Sequence, residues 1–380
     1  MHLTSQVLLL SLVAAGSTPD QPKNDVNDNI CTDPDSSSPL QLARKLHVPL
    51  ATETNSAEFE HASFWDDNGP LLQDAWNEWE TNNIDTDVPL DLIDPTLSMA
   101  LDSAFDNPTE ETESNVKSLW TSSTIHDIDQ SSLPFGVYAI QLLTPPGIAR
   151  IRHLLDMAAS SGIPTRRPNG MNRNGVIVDS NVNGAVPIKS LVQLVEEEII
   201  NRVVRPVGRM LFPDRVGCND DVEYFAFTIQ YDGSDDDDDG SNGNEKANSK
   251  DFELKEHRDA SVVTLNINLN LPDEEGYHGS EVYFRGYPSE ESTNNKHDGG
   301  SVRFSPGMSI IHLGAHRHGS LPISASSSST HRSGKRYNLV IWLFGEHGDV
   351  RIAPYEKEEQ MNVIQRWHGC NNHTQRFSFE

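Results

Sequence analysis

The spacing of apolar and polar residues predicts helices in the first half of the chain. Short helices are predicted at 71–79 and 92–105, and an apolar stripe at helical spacing predicts a longer one at 188–211. Thr144, followed by two prolines, predicts an N-cap and a helix that ends near residue 159. A strand is predicted just before that cap, at 136–143.

After residue 213 the pattern changes to short alternating segments. They predict these strands: 223–231, 259–269, 281–284, 301–304, 308–313 and 336–344. Many short antiparallel strands after helices are typical of an α+β fold. We therefore predict a double-stranded β-helix (jelly roll) with helices packed on one outer face and a partly helical N-terminal accessory region.

Composition predicts the domain boundaries. They are a secretory signal peptide at 1–17, a disordered linker at 18–39, the accessory region at 40–132, a catalytic domain at 133–350 and a C-terminal extension at 351–380. A chance leucine cluster in a disordered start is the alternative to the signal peptide. Within the catalytic domain, an acidic loop (233–251) and a Ser-rich loop (324–333) are predicted excursions. The acidic loop lacks the ligand spacing of a calcium loop.

Charge and cysteine content exclude several classes of function. The formal net charge is -28, which disfavours nucleic acid and anionic membrane surfaces as direct partners. No segment of the mature chain is apolar enough to suggest a membrane span. Cys31, Cys218 and Cys370 contain no CxxC pair, which excludes an evident zinc knuckle. One disulfide would suit the secretory pathway, where we expect the protein, and Asn372 begins a glycosylation acceptor.

The accessory region carries aromatic residues but no chemical motif. They are Phe64, Trp65, Trp76, Trp79 and Trp120. Aromatic side chains in such a region are more often packing contacts than a ligand cage. We interpret them as residues that dock the region onto the larger domain.

His257 and Asp259 are the first candidate metal ligands in the sequence. On the predicted extended segment, residues two apart point to the same face, so an imidazole nitrogen and a carboxylate oxygen can meet one cation. A third ligand must come from a distant strand. His312, His316 and His318 are all candidates, because they lie close together in the segment 309–323.

Arg336 is the fourth element of this group. It stands at the start of an apolar strand and shares a face with Asn338 and Trp342. A guanidinium in such a place requires a carboxylate, which its planar fork can bind through two hydrogen bonds. A surface ion pair is the alternative interpretation of this arginine.

Taken in order, these motifs resemble a known superfamily. Residues 133–343 resemble the iron(II) and 2-oxoglutarate-dependent dioxygenases of the prolyl and lysyl hydroxylase type, and more narrowly the 2-oxoglutarate and iron-dependent oxygenase domain-containing protein 2 family. The narrower resemblance rests on segments 167–172, 211–213, 226–231, 257–259, 263–266, 318–322 and 334–339. In this chain Asn174 stands where the family pattern usually has an aromatic residue before a glycine.

The resemblance implies a set of ligands. It implies Fe(II) at His257, Asp259 and His318, because the sequence after His318 is similar to that following the distal histidine in many of these oxygenases. It implies the cosubstrate carboxylate at Arg336, with Tyr231 and Asn266 as further candidates for the cosubstrate pocket. Strict strand alternation places Asn266 opposite Asp259, so a structural amide is the alternative for Asn266.

The function implied by the resemblance is hydroxylation coupled to decarboxylation of 2-oxoglutarate to succinate. O2 and L-ascorbate are implied as co-reactant and reductant, and a peptidyl Pro or Lys side chain as substrate. The carboxylate ligand Asp259 argues against halogenation, which would need its coordination position for the halide. A non-catalytic metal- or carbohydrate-binding jelly roll and a small-molecule hydroxylase remain alternatives. Residue spacing predicts no oligomeric state.

Overall fold

The computed structural model describes most of the chain after residue 61. The described ranges are 62–83, 91–121, 124–125, 128–129, 133–168, 174–179, 182–218, 223–233, 252–274, 277–286, 300–303, 305–325, 334–345 and 348–370. They belong to one compact unit, Pro39–Glu380. The predicted signal peptide, the linker, Cys31, Asn372 and most of the acidic and Ser-rich loops lie outside these ranges.

The helices include those that the periodicity predicts. They are α1 (Ala62–Asn83), α2 (Pro95–Asp106), α3 (Glu110–Thr121), α4 (Pro145–Ser160), α5 (Lys189–Gln193), α6 (Arg205–Leu211) and α7 (Val363–His368), and a π-helical segment (Leu194–Val204) joins α5 to α6. The predicted cap of α4 is confirmed, since the Thr144 hydroxyl accepts a hydrogen bond from the Gly147 N–H at 3.1 Å. Neither α3 nor α7 is predicted by the sequence pattern.

The strands form antiparallel sheets. In chain order they are β1 (Thr124–Ile125), β2 (Ile128–Asp129), β3 (Val137–Gln141), β4 (Tyr224–Asp232), β5 (Leu254–His257), β6 (Val263–Asn268), β7 (Tyr277–Gly279), β8 (Val282–Phe284), β9 (Gly300–Val302), β10 (Met308–Leu313), β11 (His318–Ser320), β12 (Ile323–Ala325) and β13 (Lys335–Leu343). A five-stranded sheet has the order β3-β10-β6-β13-β4, and a four-stranded sheet has the order β5-β11-β8-β9. Two further pairs are β1-β2 and β12-β7. The predicted combination of helices and antiparallel sheets is confirmed.

The helices pack on one face of the five-stranded sheet. Val263, Leu265 and Ile267 alternate along β6 and share a hydrophobic cluster with the helices. Trp65 of α1 and Trp120 of α3 are buried in the same cluster. The aromatic residues of the accessory region are therefore packing residues. The side chains on the other face of β6 point away from the helices.

That other face meets the four-stranded sheet. Ala139 and Ile310 of the five-stranded sheet share a second cluster with Val282 and Phe284 of the four-stranded sheet. The two sheets therefore lie face to face, and side chains between them are removed from water.

Two predicted segments need correction. The strand predicted at 259–269 begins only at Val263, because residues 258–262 bend to carry the chain from the four-stranded sheet to the five-stranded sheet. The Asp259 N–H donates to the Gly314 carbonyl, so the segment is held without being a strand. Part of the predicted Ser-rich loop is β12, which ends at Ala325 and pairs with β7.

A disulfide links the end of the fold to its middle. Cys218, after α6, pairs with Cys370, after α7, and their Cα atoms are 5.4 Å apart. None of the helices in the described ranges has both the length and the apolar composition needed to cross a lipid bilayer.

Candidate metal centre

Strand pairing brings two of the predicted ligands together. His318 of β11 lies directly opposite His257 of β5 in the antiparallel register. Residues directly opposite each other in such a pair place their side chains on the same face. The two imidazole rings are accordingly 4.4 Å apart between centroids, although the residues are distant in sequence.

The bend after β5 adds the carboxylate. Asp259 Oδ1 lies 3.2 Å from His257 Nε2, and Asp259 Oδ2 lies 3.6 Å from His318 Nε2. One ligand atom from each of the three residues lies within 4.8 Å of the others, and this is the only such His, Cys, Asp or Glu group in the described part of the chain. Two imidazoles and one carboxylate on one side of a site form the donor set of non-haem iron(II) oxygenases.

His257 and Asp259 lie close together for a reason that the sequence pattern does not predict. The sequence pattern predicts that His257 and Asp259 share a face of one strand. Instead, His257 is the last residue of β5 and Asp259 lies in the bend that follows. The pair therefore forms where the chain crosses between sheets, and a continuous strand is not needed.

Hydrogen bonds orient all three groups. The Thr264 hydroxyl donates to Asp259 Oδ2 at 2.7 Å. His257 Nδ1 lies 2.8 Å from the Lys255 carbonyl, and His318 Nδ1 lies 3.0 Å from the His316 carbonyl. A carbonyl can only accept, so each Nδ1 carries the proton and each Nε2 is left to bind a metal.

The protonation states also favour a cation. Burial alone would raise the pKa of Asp259, but His318, His257, His312 and the Thr264 hydroxyl lower it well below its usual range. Burial lowers the pKa of His318. Burial would also lower the pKa of His257, but the hydrogen bond and charge of Asp259 raise it. At neutral pH the group therefore contains a carboxylate and at least one neutral imidazole.

The two rival histidines lie behind the group. Burial lowers the pKa of His312 to about 3 and that of His316 to about 4. His312 Nε2 is 3.9 Å from Asp259 Oδ2, and the rings of His312 and His316 both contact Phe284 edge-on. The structure thus brings His318, and neither rival, into the group of three.

Arg336 and Tyr231 lie together at one end of the cavity between the sheets. They are directly opposite each other on β13 and β4, with the guanidinium carbon 4.5 Å from the centre of the Tyr231 ring. Arg336 is only 2% exposed and donates hydrogen bonds to the Ser280 carbonyl and to the Ser320 hydroxyl. Tyr231 and Ser320 line the cavity, and Arg336 contacts both of them.

The alternation argument for Asn266 needs a correction, because Asn266 lies on the cavity side of β6. It lines the same cavity as Asp259 and Thr264. The alternation argument counted residues from Asp259 along one strand, but the bend at 258–262 interrupts the count. Thr264, Asn266 and Asn268 share the cavity face of β6.

The cavity as a whole is mostly apolar and aromatic. Its lining comprises Phe227, Ile229, Tyr231, Leu254, His257, Asp259, Thr264, Asn266, Val282, His318, Gly319, Ser320, Val340 and Trp342. Sequence reasoning missed Thr264 and Ser320 as supporting residues. Thr264 stands two residues from Asn266 in the β6 segment, so the alternation of polar residues with Leu265 was the signal that could have found it.

Comparisons with known proteins agree with the donor set. No protein-family model matches the chain. The 2-oxoglutarate and iron-dependent oxygenase domain-containing protein 2 of Xenopus tropicalis is 28% identical over 216 residues, which cover 57% of this chain and 50% of the relative. The human protein of the same name is 25% identical over 208 residues, which cover 54% and 48% respectively. The predicted resemblance is confirmed, and the chain spans about half the length of the curated relatives it matches.

Solved structures of oxygenases are also similar to this chain. A Pseudomonas putida prolyl-4-hydroxylase is 11% identical with a TM-score of 0.34, over 68% of this chain and 98% of that one. A 2OG-Fe(II) oxygenase family oxidoreductase from Burkholderia pseudomallei is 12% identical with a TM-score of 0.35, over 57% and 88%.

Proposed function

We propose that this protein is an Fe(II)- and 2-oxoglutarate-dependent dioxygenase. It would hydroxylate a substrate while 2-oxoglutarate is oxidatively decarboxylated to succinate. The observation that carries the proposal is the group of His257, Asp259 and His318 in a cavity between two sheets. The names of the curated relatives point to the same metal and cosubstrate.

The donor set fits Fe(II). His257 Nε2, His318 Nε2 and one Asp259 oxygen would hold the metal, and Thr264 would keep the carboxylate in place. Fe(II) held by these three groups would supply the oxidising chemistry with a 2-oxo acid and O2. The protein itself contributes orientation and a cavity that excludes bulk water.

The cosubstrate would extend from the metal group towards Arg336. Thr264, which holds Asp259, pairs with Trp342, whereas Arg336 lies six residues earlier on β13, so the metal and the guanidinium are at different places along the strand. The planar guanidinium of Arg336 suits the distal carboxylate of 2-oxoglutarate. Asn266 lies between the two and would contact the part of the cosubstrate nearer the metal.

We propose the jelly roll as the more specific description of the fold. Face-to-face antiparallel sheets of non-sequential strand order support it. In a double-sheet jelly roll, the mouth between the sheets is the place for a metal and its ligands. This arrangement agrees with the position of His257 and His318 at facing strand ends.

A peptidyl side chain is the proposed substrate, and the lining favours Pro over Lys. Asp259 is the only carboxylate among the described lining residues, and it belongs to the metal group. A buried ammonium without a carboxylate would be strongly destabilised. An uncharged prolyl ring suits the aromatic wall of Phe227 and Trp342, whose ring centroids are 5.2 Å apart. L-Ascorbate would serve as reductant.

We also propose that the protein acts in the secretory pathway. The Cys218–Cys370 disulfide supports this location, because such bonds persist in oxidising compartments. Expression of the full chain in animal cells, followed by detection of the protein in the lumen or medium, tests the proposal. A cytosolic protein with free thiols would contradict it.

The proposed activity is tested by cosubstrate turnover. Full-length protein with Fe(II), ascorbate, O2 and 2-oxoglutarate is incubated with a pool of Pro- and Lys-containing peptides, and succinate and a +16 mass shift are measured. The wild type should form both, and Arg336→Ala should form neither because the carboxylate loses its partner. A protein that forms no succinate, and whose ligand binding is unchanged in Arg336→Ala, is a binding module instead. Succinate without any peptide shift indicates a small-molecule substrate.

A further inference from the structure

A pair of carboxamides connects the arginine strand to the cavity. Asn338 lies on the same face of β13 as Arg336 and is 1% exposed. Its Nδ2 donates a short hydrogen bond to Oδ1 of Asn266, which lines the cavity. The side chain of Asn338 therefore acts on the site through Asn266 and does not line the cavity itself.

In the observed arrangement, this bond places the oxygen of Asn266 against Asn338. With its Oδ1 engaged by Asn338, Asn266 presents its NH2 group on the other branch of the carboxamide. That nitrogen makes no hydrogen bond to any described residue, although it carries two donors. An anionic oxygen in the cavity is the partner that such a donor suits.

The protein alone does not lock this orientation. Asn338 Oδ1 is buried and has no hydrogen-bond partner in the described part of the chain. If both carboxamides rotated by half a turn, Asn266 would donate to that oxygen, and Asn338 would instead bury an unused NH2. Each arrangement leaves one polar group of Asn338 without a hydrogen bond, so the two orientations have similar free energies. A bound ligand can therefore select one of them.

We propose that Asn338 is a positioning residue: by donating to Asn266 Oδ1, it holds the Asn266 NH2 group towards a carboxylate oxygen of the 2-oxo dicarboxylate cosubstrate when that ligand is bound. The inference rests on the proposed function, because it takes 2-oxoglutarate as the ligand. An anion in the cavity selects the arrangement with the NH2 group facing inwards. Asn266 thereby adds a neutral donor between the metal group and Arg336.

Asn338→Asp is the strongest test of this role, and Asn338→Ala, which adds no charge, separates it from a direct effect of the new carboxylate. An ionised Asp at this position can only accept, so Asn266 must donate to it and present its oxygen to the cavity. That oxygen would repel the cosubstrate. Full-length protein loaded with Mn(II) is titrated with 2-oxoglutarate by calorimetry, and the dissociation constant is expected to rise about tenfold to hundredfold. Mn(II) affinity should change much less.

Asn270→Asp is the matched control. Asn270 is a buried carboxamide near the end of β6, but it bonds the Lys335 carbonyl and the Tyr337 N–H, away from the cavity. The control should lower the melting temperature without a selective loss of 2-oxoglutarate affinity. If Asn338→Asp does not fold, Asn338→Ala takes its place, and a loss of severalfold is expected.

A double-mutant cycle tests whether Asn338 acts through Asn266. In an Asn266→Ala background, Asn338→Ala should weaken 2-oxoglutarate binding no further. The inference is overturned if Asn338→Asp binds the cosubstrate within about twofold of wild type, or if the Asn338→Ala loss persists without Asn266. Wild-type protein that binds Mn(II) but not 2-oxoglutarate would overturn the proposed function itself, and with it this ligand.

Discussion

At the scale of single residues, the candidate site depends on which nitrogen of each histidine is free. Backbone carbonyls engage Nδ1 of His257 and His318, so both present Nε2 to Asp259. Thr264 then restricts the carboxylate. Orientation by such neighbours commonly changes metal affinity by about tenfold to hundredfold.

His318 and His316 offer a direct comparison of neighbouring histidines. His318→Ala should lose Mn(II) binding and cosubstrate turnover, because it removes one of three donors at the group. His316→Ala should retain Mn(II) affinity, since His316 lies outside that group. Metal titration of both variants measures this, with circular dichroism to check the fold. Equal losses in the two variants would contradict the ligand assignment.

Metal binding should depend on pH through His257. A metal and a proton compete for its Nε2, and Asp259 raises its pKa despite burial. Mn(II) affinity should therefore fall as the pH drops below that raised pKa and level off above it. His278→Ala, an exposed histidine, is the control and should leave the profile unchanged. A flat profile for the wild type would argue against His257 as a ligand.

The raised pKa of His257 has the opposite effect on the stability of the metal-free protein, which decreases as the pH rises. Protonated His257 is favoured in the folded state, so its contribution to the free energy of unfolding is complete below the unfolded pKa. The contribution is lost as the pH rises through the raised folded pKa. Added metal should offset that loss, because it binds only the folded group.

At the scale of elements, α7 is attached to α3 by a buried charged contact. Arg366 of α7 donates to both oxygens of Glu113, with Nε to Oε2 at 2.7 Å, and the Trp367 indole donates to Oε2 at 3.2 Å. Both partners of the ion pair are largely buried. A charge left alone in such a place is costly.

Glu113→Ala should therefore reduce the free energy of unfolding by about 3 kcal/mol. Asp102→Ala is the control, because its ion pair with Arg202 is exposed, and it should cost less than about 1 kcal/mol. Urea unfolding of both variants measures the difference. Similar costs would show that the Glu113 contact is no stronger than a surface pair.

Elements differ in how well the sequence predicts them. The helix α4 and strand β10 were predicted nearly at their observed ends, because periodicity and capping are local. The strands β5 and β11 are not predicted, because their sequences, Leu-Lys-Glu-His and His-Gly-Ser, do not alternate apolar and polar residues. These two are the strands that carry His257 and His318.

At the scale of the whole molecule, the Cys218–Cys370 bond closes a long loop. The two cysteines are 152 residues apart, and the loop contains both sheets' site residues. Reduction should lower the free energy of unfolding by about 2 to 5 kcal/mol, mainly because the unfolded chain gains conformational entropy when the cross-link is removed. Thermal unfolding with and without reductant measures it. Cys31→Ser is the control, and the difference in stability between oxidised and reduced protein should be the same in this variant. Loss of that difference in Cys31→Ser would mean that Cys31 takes part in the disulfide.

The sequence by itself determined the class of fold, the identities of the candidate ligands and the family that the chain resembles. These depend on local periodicity and on residue types in order. Only the tertiary structure decided that β5 and β11 pair, which brings His318, already implied by the resemblance, to Asp259, and that Asn266 faces the cavity. Pairing between distant strands and the bend at 258–262 depend on long-range hydrogen bonds and packing between the sheets, which no local pattern of residues encodes.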